Sequence, residues 1–263
     1  MLFKNCTIGS DPELFIINTK TGKVVSSIGI IPGEKDNAFR EETWPKGFGL
    51  EIDNILAEFN IPAVKTQKAW VKNMNFMKEY IREFVKKVNP DYDIKCIASM
   101  MVDANQLNSE EAKLFGCDVD YNAYTEKENP KPKGEKGKLR SAGCHIHIGY
   151  PKCNPNISIQ LVKYLDAYVG LPSVLIDPDT KRRSLYGKAG SFRLQPWGVE
   201  YRVLSSQFID NDDLLKWMWC KIEKAINAHH WQLTLPPADL VIAAINNSDK
   251  ELAQKLIETY KLD

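Results

Sequence analysis

A chain of 263 residues with 43% hydrophobic residues is long enough for one domain with a sizeable core and short for two complete enzymes. Its formal net charge of +1 excludes the basic balance expected of a nucleic-acid binder and gives no attraction to acidic membranes, although a modified nucleobase stays open as a small substrate. No stretch approaches the roughly 20 apolar residues of a membrane span and residues 1–10 lack a leader-like apolar run, so no membrane partner is expected and the expected compartment is the cytoplasm.

Residues 5–18 read as a strand and 23–28 as a second, with a hairpin turn at Thr19–Gly22 between them. Residues 48–60 read as another strand, interrupted at Asp53-Asn54. A long amphipathic helix follows, with Thr66 as N-cap, apolar positions from Ala69 to Val85, and a stop before Asn89-Pro90. Residues 94–102 read as a buried strand. The stretch 126–139, rich in lysine, glutamate, proline and glycine, reads as a surface loop. A strand at 143–149, a helix near 156–170 and a strand at 199–205 come next, then helices at about 212–230, 238–246 and 249–260. Six cysteines without a C-x-x-C pair read as reduced, mostly buried thiols. Strands without a regular β-α-β alternation, closed by helices, predict an α+β domain: a largely antiparallel sheet with helices on one face. The sheet is expected over about 5–206 and the helical part over about 210–263, as one catalytic domain spanning 1–263.

The chemistry lies in strand motifs with a spacing of two, which puts both residues on one face. The pairs are Asp11 and Glu13, Glu58 and Asn60, His145 and His147, and Glu200 and Arg202. On neighbouring strands they would gather four carboxylates, two imidazoles and a guanidinium. Clustered carboxylates repel unless a cation or proton intervenes, and such a donor set suits magnesium or manganese. The alternatives for single pairs are an exposed strand start at Asp11, a zinc or copper pair at His145 and His147, and a surface ladder at Glu200 and Arg202. The basic run Lys181, Arg182, Arg183, Lys188 and Arg193 precedes Glu200. Beside a metal-binding face, Arg183, Lys188 and Arg193 become candidates for phosphate contacts.

GSDPELF (9–15), DNILAEFNIPA (53–63), FGCDVDYNAY (115–124), RSAGCHIHIG (140–149) and RRSLYGKAGSFR (182–193) with GVEYRVLS (198–205) resemble the phage-type amidoligases of the glutamine synthetase and glutamate–cysteine ligase superfamily. The likeness runs from about residue 8 to 206, and the C-terminal helices carry little of it. It implies a glutamine-synthetase-like curved antiparallel sheet forming an open funnel, in the host cytoplasm if phage-encoded. It also implies ATP, Mg2+ (or Mn2+), and a carboxylate and an amine, free or in a peptide or protein, joined through an acyl phosphate. Carried over, Asp11, His145 and Glu200 hold the metal nearest the terminal phosphates, and Glu13 and Glu58 hold the second. His147 lies near ATP, while Arg193 and Arg202 meet phosphate or acyl substrate. The wider superfamily often has glutamate at the position of Asp11. It also supplies a further acid to the second metal, for which Glu51 and Asp53 both qualify. The competing functions are a guanidino-kinase-like phosphotransferase, a non-catalytic nucleotide-binding phage protein and a metal-dependent hydrolase.

Overall fold

One long strand organises the computed structural model, which describes residues 5–35, 37–113, 119–130 and 137–263. This strand, β1 (Thr7–Asn18), is joined by the expected turn to β2 (Lys23–Val25). Asn18 Oδ1 accepts from the Lys20 and Thr21 amides and holds that turn. The segment read as one interrupted strand is a hairpin of β3 (Gly49–Asp53) and β4 (Leu56–Val64). Asn54, at φ 59°, supplies the left-handed corner that this residue type tolerates.

Helix α1 (Gln67–Val88) starts as its sequence dictates, with the Thr66 side chain accepting from the Ala69 amide. It buries Trp70, Met74, Met77, Ile81 and Val85 as one stripe. The strand read at 94–102 splits into β5 (Tyr92–Lys95) and β6 (Ser99–Met101), because the two halves pair with different partners. Met101 at its end is 60% exposed, so this is no fully buried strand.

The short helix α2 (Glu110–Lys113) precedes two-residue strands β7 (Tyr121–Asn122) and β8 (Lys127–Glu128). Of the loop read at 126–139, residues 131–136 lie outside the described ones; β8 takes its start and β9 (Leu139–Ser141) its end. Strand β10 (Cys144–Gly149) stands where the sequence put it. Helix α3 (Pro155–Leu165) runs through a π-turn, Asp166–Gly170, into α4 (Leu171–Ile176), beyond the expected end. Among the described residues this stretch, Pro155–Ile176, is the one helix apolar and long enough to cross a membrane, and 72% of its most apolar window is buried in the molecule. Strands β11 (Ser191–Gln195) and β12 (Gly198–Tyr201) form a hairpin in place of a single strand at 199–205. Helices α5 (Asp212–His230), α6 (Ala238–Asn246) and α7 (Lys250–Tyr260) close the chain as expected.

The large sheet runs β3-β4-β1-β10-β12-β11-β7-β8, antiparallel throughout, with β2 and β5 pairing with the far half of β1. Alternate residues separate its faces. Ile8, Leu14, Ala57, Phe59, Cys144, Ile146, Val199 and Tyr201 join the main core, where α1, α3 and α5 pack. Burying each large apolar side chain there stabilises by about 1.5–3 kcal/mol. The residues between them, Asp11, Glu13, Glu58, His145, His147 and Glu200, therefore project from the opposite face.

Candidate active site

Strand register, not loop proximity, assembles the polar face. Glu51 pairs with Glu58, and Glu58 with Glu13. Asp11 pairs with His145 one step further along β1, and His147 pairs with Glu200, which pairs with Arg193. Arg202 follows Glu200 on the same face. The four spaced pairs seen in the sequence thus lie on adjacent strands of one sheet.

Two groups of ligand-type atoms stand out, each with its members within 4.8 Å of one another: Asp11, His147 and Glu200, and Glu13, Asp53 and Glu58. Asp11 Oδ1 lies 3.2 Å from both His145 Nδ1 and His147 Nε2. Burial alone would raise the Asp11 carboxyl, but the His147 and His145 charges outweigh it and hold it well below the carboxylate range. His147 is raised in turn: burial opposes its charge, and Asp11 overcomes that. Burial and Asp11 would push Glu200 up, yet Arg202, His145 and His147 bring it below its ordinary value. Arg202 donates to Glu200 Oε1, while Arg193 at 3.4 Å and Gln195 at 3.1 Å reach Oε2.

The second group is acid against acid. Burial, then Asp53, raises Glu13; burial raises Asp53; burial followed by Asp11, Asp53, Glu13 and Glu51 raises Glu58 well above its usual range. Glu13 is fixed by the Gly143 amide, which donates to its Oε2 at 2.6 Å. In the second group Asp53 Oδ1 is buried and accepts no hydrogen bond from the described residues, while in the first Asp11 Oδ1 faces the two imidazoles. Buried acceptors without donors are costly. Two oxygens and an imidazole in one group, and three carboxylates in the other, fit a divalent cation that prefers oxygen ligands. The spacing left Glu51 and Asp53 equal as the extra acid; the fold gathers Asp53 with Glu13 and Glu58. In the first group His147 stands with Asp11 and Glu200 where the resemblance had His145. His145 Nδ1 lies between them, 3.6 Å from Glu200 Oε1 and 3.4 Å from Arg202 Nη1.

Two hollows flank this wall. A cleft of about 430 Å³, within the range of ligand pockets, is lined by Asp11, Glu58 and Arg193 and rimmed by Lys35 and Arg40. A narrow chamber of about 40 Å³ lies at the other end, lined by Asp53, Asp120, Arg140, Arg182 and Tyr186. Glu13, Asp53, His145 and Arg202 line both. Burial, the largest influence, raises Asp120, whose Oδ2 lies 3.9 Å from Arg202 Nε. Arg140 braces the chamber by donating to the Ala112, Gly137 and Leu139 carbonyls.

From the basic run the fold selects differently than the sequence did. Arg193 reaches the site. Arg183 turns away and donates to Ser173 and Ser248 in the helical layer, and Lys188 is exposed and lines neither hollow. Arg182 enters the chamber instead, its Nη1 donating to the Val203 carbonyl at 2.8 Å. Gly187, at φ 74°, makes room for it: a Cβ there would lie 1.7 Å from Arg182 Nη1. Lys35, Arg40, Asp120 and Arg182 were not singled out as site residues. Lys35 and Arg40 stand in a stretch to which the sequence assigned no element, whereas Asp120 lies inside the resembling motif FGCDVDYNAY, of which residues 115–118 are outside the described ones.

Residues 138–261 match the family described as phage phiEco32-like COOH.NH2 ligase-type 2. The matched stretch carries His145, His147, Arg193, Glu200 and Arg202. It runs on through α5 to α7, which seemed from the sequence to carry little of the likeness. Asp11, Glu13 and Glu58 lie upstream of it and join it through the pairing of β1 with β10. No curated protein matches the chain.

Proposed function

We propose, from the match of residues 138–261 to the phage phiEco32-like COOH.NH2 ligases, that this chain joins a carboxyl to an amine group and uses ATP to activate the carboxylate as an acyl phosphate. The observation that carries this reading is the line of acids and imidazoles that strand pairing builds across β3, β4, β1, β10 and β12, which gathers two groups of ligand-type atoms on one face. Asp11, His147 and Glu200 would hold one divalent cation, and Glu13, Asp53 and Glu58 a second. Bound there, magnesium or manganese supplies the positive charge that lets a carboxylate approach the γ-phosphate of ATP.

The chain's own residues do the rest. Lys35, Arg40 and Arg193 line the larger cleft, where a triphosphate meets fixed cations. Arg202, held by Glu200 and bordering both hollows, orients the acid substrate at the passage between them. The narrow chamber admits the reacting end of a substrate and little water. The resemblance to a funnel, nucleotide at one end and substrates at the other, fits these two hollows. The acid's oxygen attacks the γ-phosphorus and ADP leaves. The amine nitrogen then attacks the acyl carbon, loses a proton, and inorganic phosphate leaves.

The test is a screen of carboxylic acids with ATP, Mg2+ and hydroxylamine. The expected outcome is a hydroxamate formed together with ADP and phosphate, weakened in Arg202→Ala more than ATP binding is. AMP as the nucleotide product, or hydroxamate formed equally without ATP, overturns the reading. Phosphate transfer to a guanidino compound instead would favour the kinase-like alternative.

A further inference from the structure

The tip of the β11–β12 hairpin bears an indole that neither the core nor the acid clusters use. Trp197 is 41% exposed, a costly position for a large aromatic ring without a partner. Its ring centroid lies 5.2 Å from that of His147, with the planes inclined by 50°. This contact is tilted, so His147 does not cover the indole as a parallel ring would. The other exposed aromatics of the described residues have ring partners of their own: Phe76 packs on Trp44 and Phe48, Tyr121 on Phe192, and Trp231 on His230.

The hairpin tip that carries the ring is held in place. The Trp197 carbonyl accepts from the Tyr150 amide at 3.1 Å, and the neighbouring Pro196 carbonyl accepts from Cys153 Sγ at 3.0 Å. Register puts the hairpin tip at one end of the polar face. Along β10, His145, His147 and Gly149 lead from the chamber end toward Gly198, which follows Trp197 directly. Gly149 lies beside the indole, where a Cβ would stand 3.9 Å from Trp197 Cε3 and only 2.8 Å from Thr7 Oγ1.

We propose that Trp197 is the platform on which the purine ring of the nucleotide stacks, with the phosphates reaching from there to Asp11, His147 and Glu200. This rests on the nucleotide reading above. A flat, part-exposed ring beside the proposed phosphate-binding cluster, and outside the lining of the narrow chamber, matches a planar heterocycle joined to a polyphosphate. Stacking needs a π-face alone, so an indole on a held hairpin tip suffices without base-edge hydrogen bonds.

Calorimetry of the full chain in Mg2+, with ATP and with inorganic tripolyphosphate, tests this. Tripolyphosphate carries the phosphates without the base. In wild type, ATP should bind more tightly than tripolyphosphate. Trp197→Ala should weaken ATP by roughly tenfold to a hundredfold, the range for loss of one base–aromatic stack, and leave tripolyphosphate affinity unchanged. Trp197→Phe, which keeps a stacking face, should recover most of the loss. Equal weakening of both probes, no weakening of either, or no rescue by phenylalanine would overturn the platform. So would a wild type that binds tripolyphosphate as tightly as ATP, with the nucleotide site intact. A wild type that binds neither probe would overturn the nucleotide reading itself, and the platform with it.

Discussion

Glu58 and Glu200 are the same residue type on the same face, in opposite electrostatic situations. Glu200 is buried against Arg202 and held below its ordinary value by Arg202, His145 and His147 in spite of burial and Asp11. Glu58 faces four other acids and is raised well above it, first by burial and then by Asp11, Asp53, Glu13 and Glu51. A carboxyl raised in the folded state contributes stability below its unfolded pKa and loses it as pH rises through the folded value. Without divalent metal, Glu58→Gln should therefore match wild type near pH 4 and melt higher at neutral pH, by about 2–4 °C for each kcal/mol of repulsion relieved. Glu200→Gln should do the reverse, because it strips Arg202 of its buried counter-charge, a loss of ~3 kcal/mol. Melting curves in EDTA across pH check both; a destabilised Glu58→Gln would mean that the acid row is structural. Residue by residue, a spacing of two made the face legible, since a strand allows no other arrangement. Whether Arg182 or Arg183 enters the site was not legible: the two are adjacent, and partners distant in sequence, Val203 for one and Ser173 and Ser248 for the other, hold them on opposite sides.

The π-turn Asp166–Gly170 links a helix to strand β12. Asp166 is fully buried; its Oδ1 accepts from the Tyr201 hydroxyl at 2.8 Å and its Oδ2 from the Gly190 amide at 2.6 Å. It thereby ties the loop before β11 to β12, on the reverse side of Glu200. Burial pushes this carboxyl up to about 7, against the lowering effect of bonds from Tyr201, Tyr124 and Gly190. The folded value exceeds the unfolded one of about 3.9, so its contribution is full below that pH and is lost as pH rises through about 7. Asp166→Asn should flatten the melting-temperature profile between those limits. It should also cost about 1–3 kcal/mol, because an amide cannot accept from both the Tyr201 side and Gly190. An unchanged slope would refute this role. At this scale the helices were the most legible parts, because a cap such as Thr66 and a 3.6-residue stripe are local signals. The split of 94–102 and the separate strand β11 were not, because pairing partners distant in sequence decide where a short strand ends.

Across the whole molecule the sheet acts as a splint. β1, near the start of the chain, lies between β4 and β10 and sets Glu13 beside Glu58 and Asp11 beside His145. The antiparallel sheet with helices over one face was legible from strands without β-α-β alternation. The order of strands was not, since it depends on long-range pairing that a single sequence encodes only as matched faces. The same splint keeps the polar row beside both the larger cleft and the narrow chamber, so that in the proposed reaction activation and amide formation would share one line of residues. Transfer of oxygen along that line is the most direct test. With an acid found by the hydroxamate screen, labelled with 18O in its carboxylate, the enzyme, ATP, Mg2+ and an amine should yield inorganic phosphate carrying one 18O atom from the acid, and ADP. Unlabelled phosphate accompanying the amide, or label recovered in AMP, would contradict activation through an acyl phosphate.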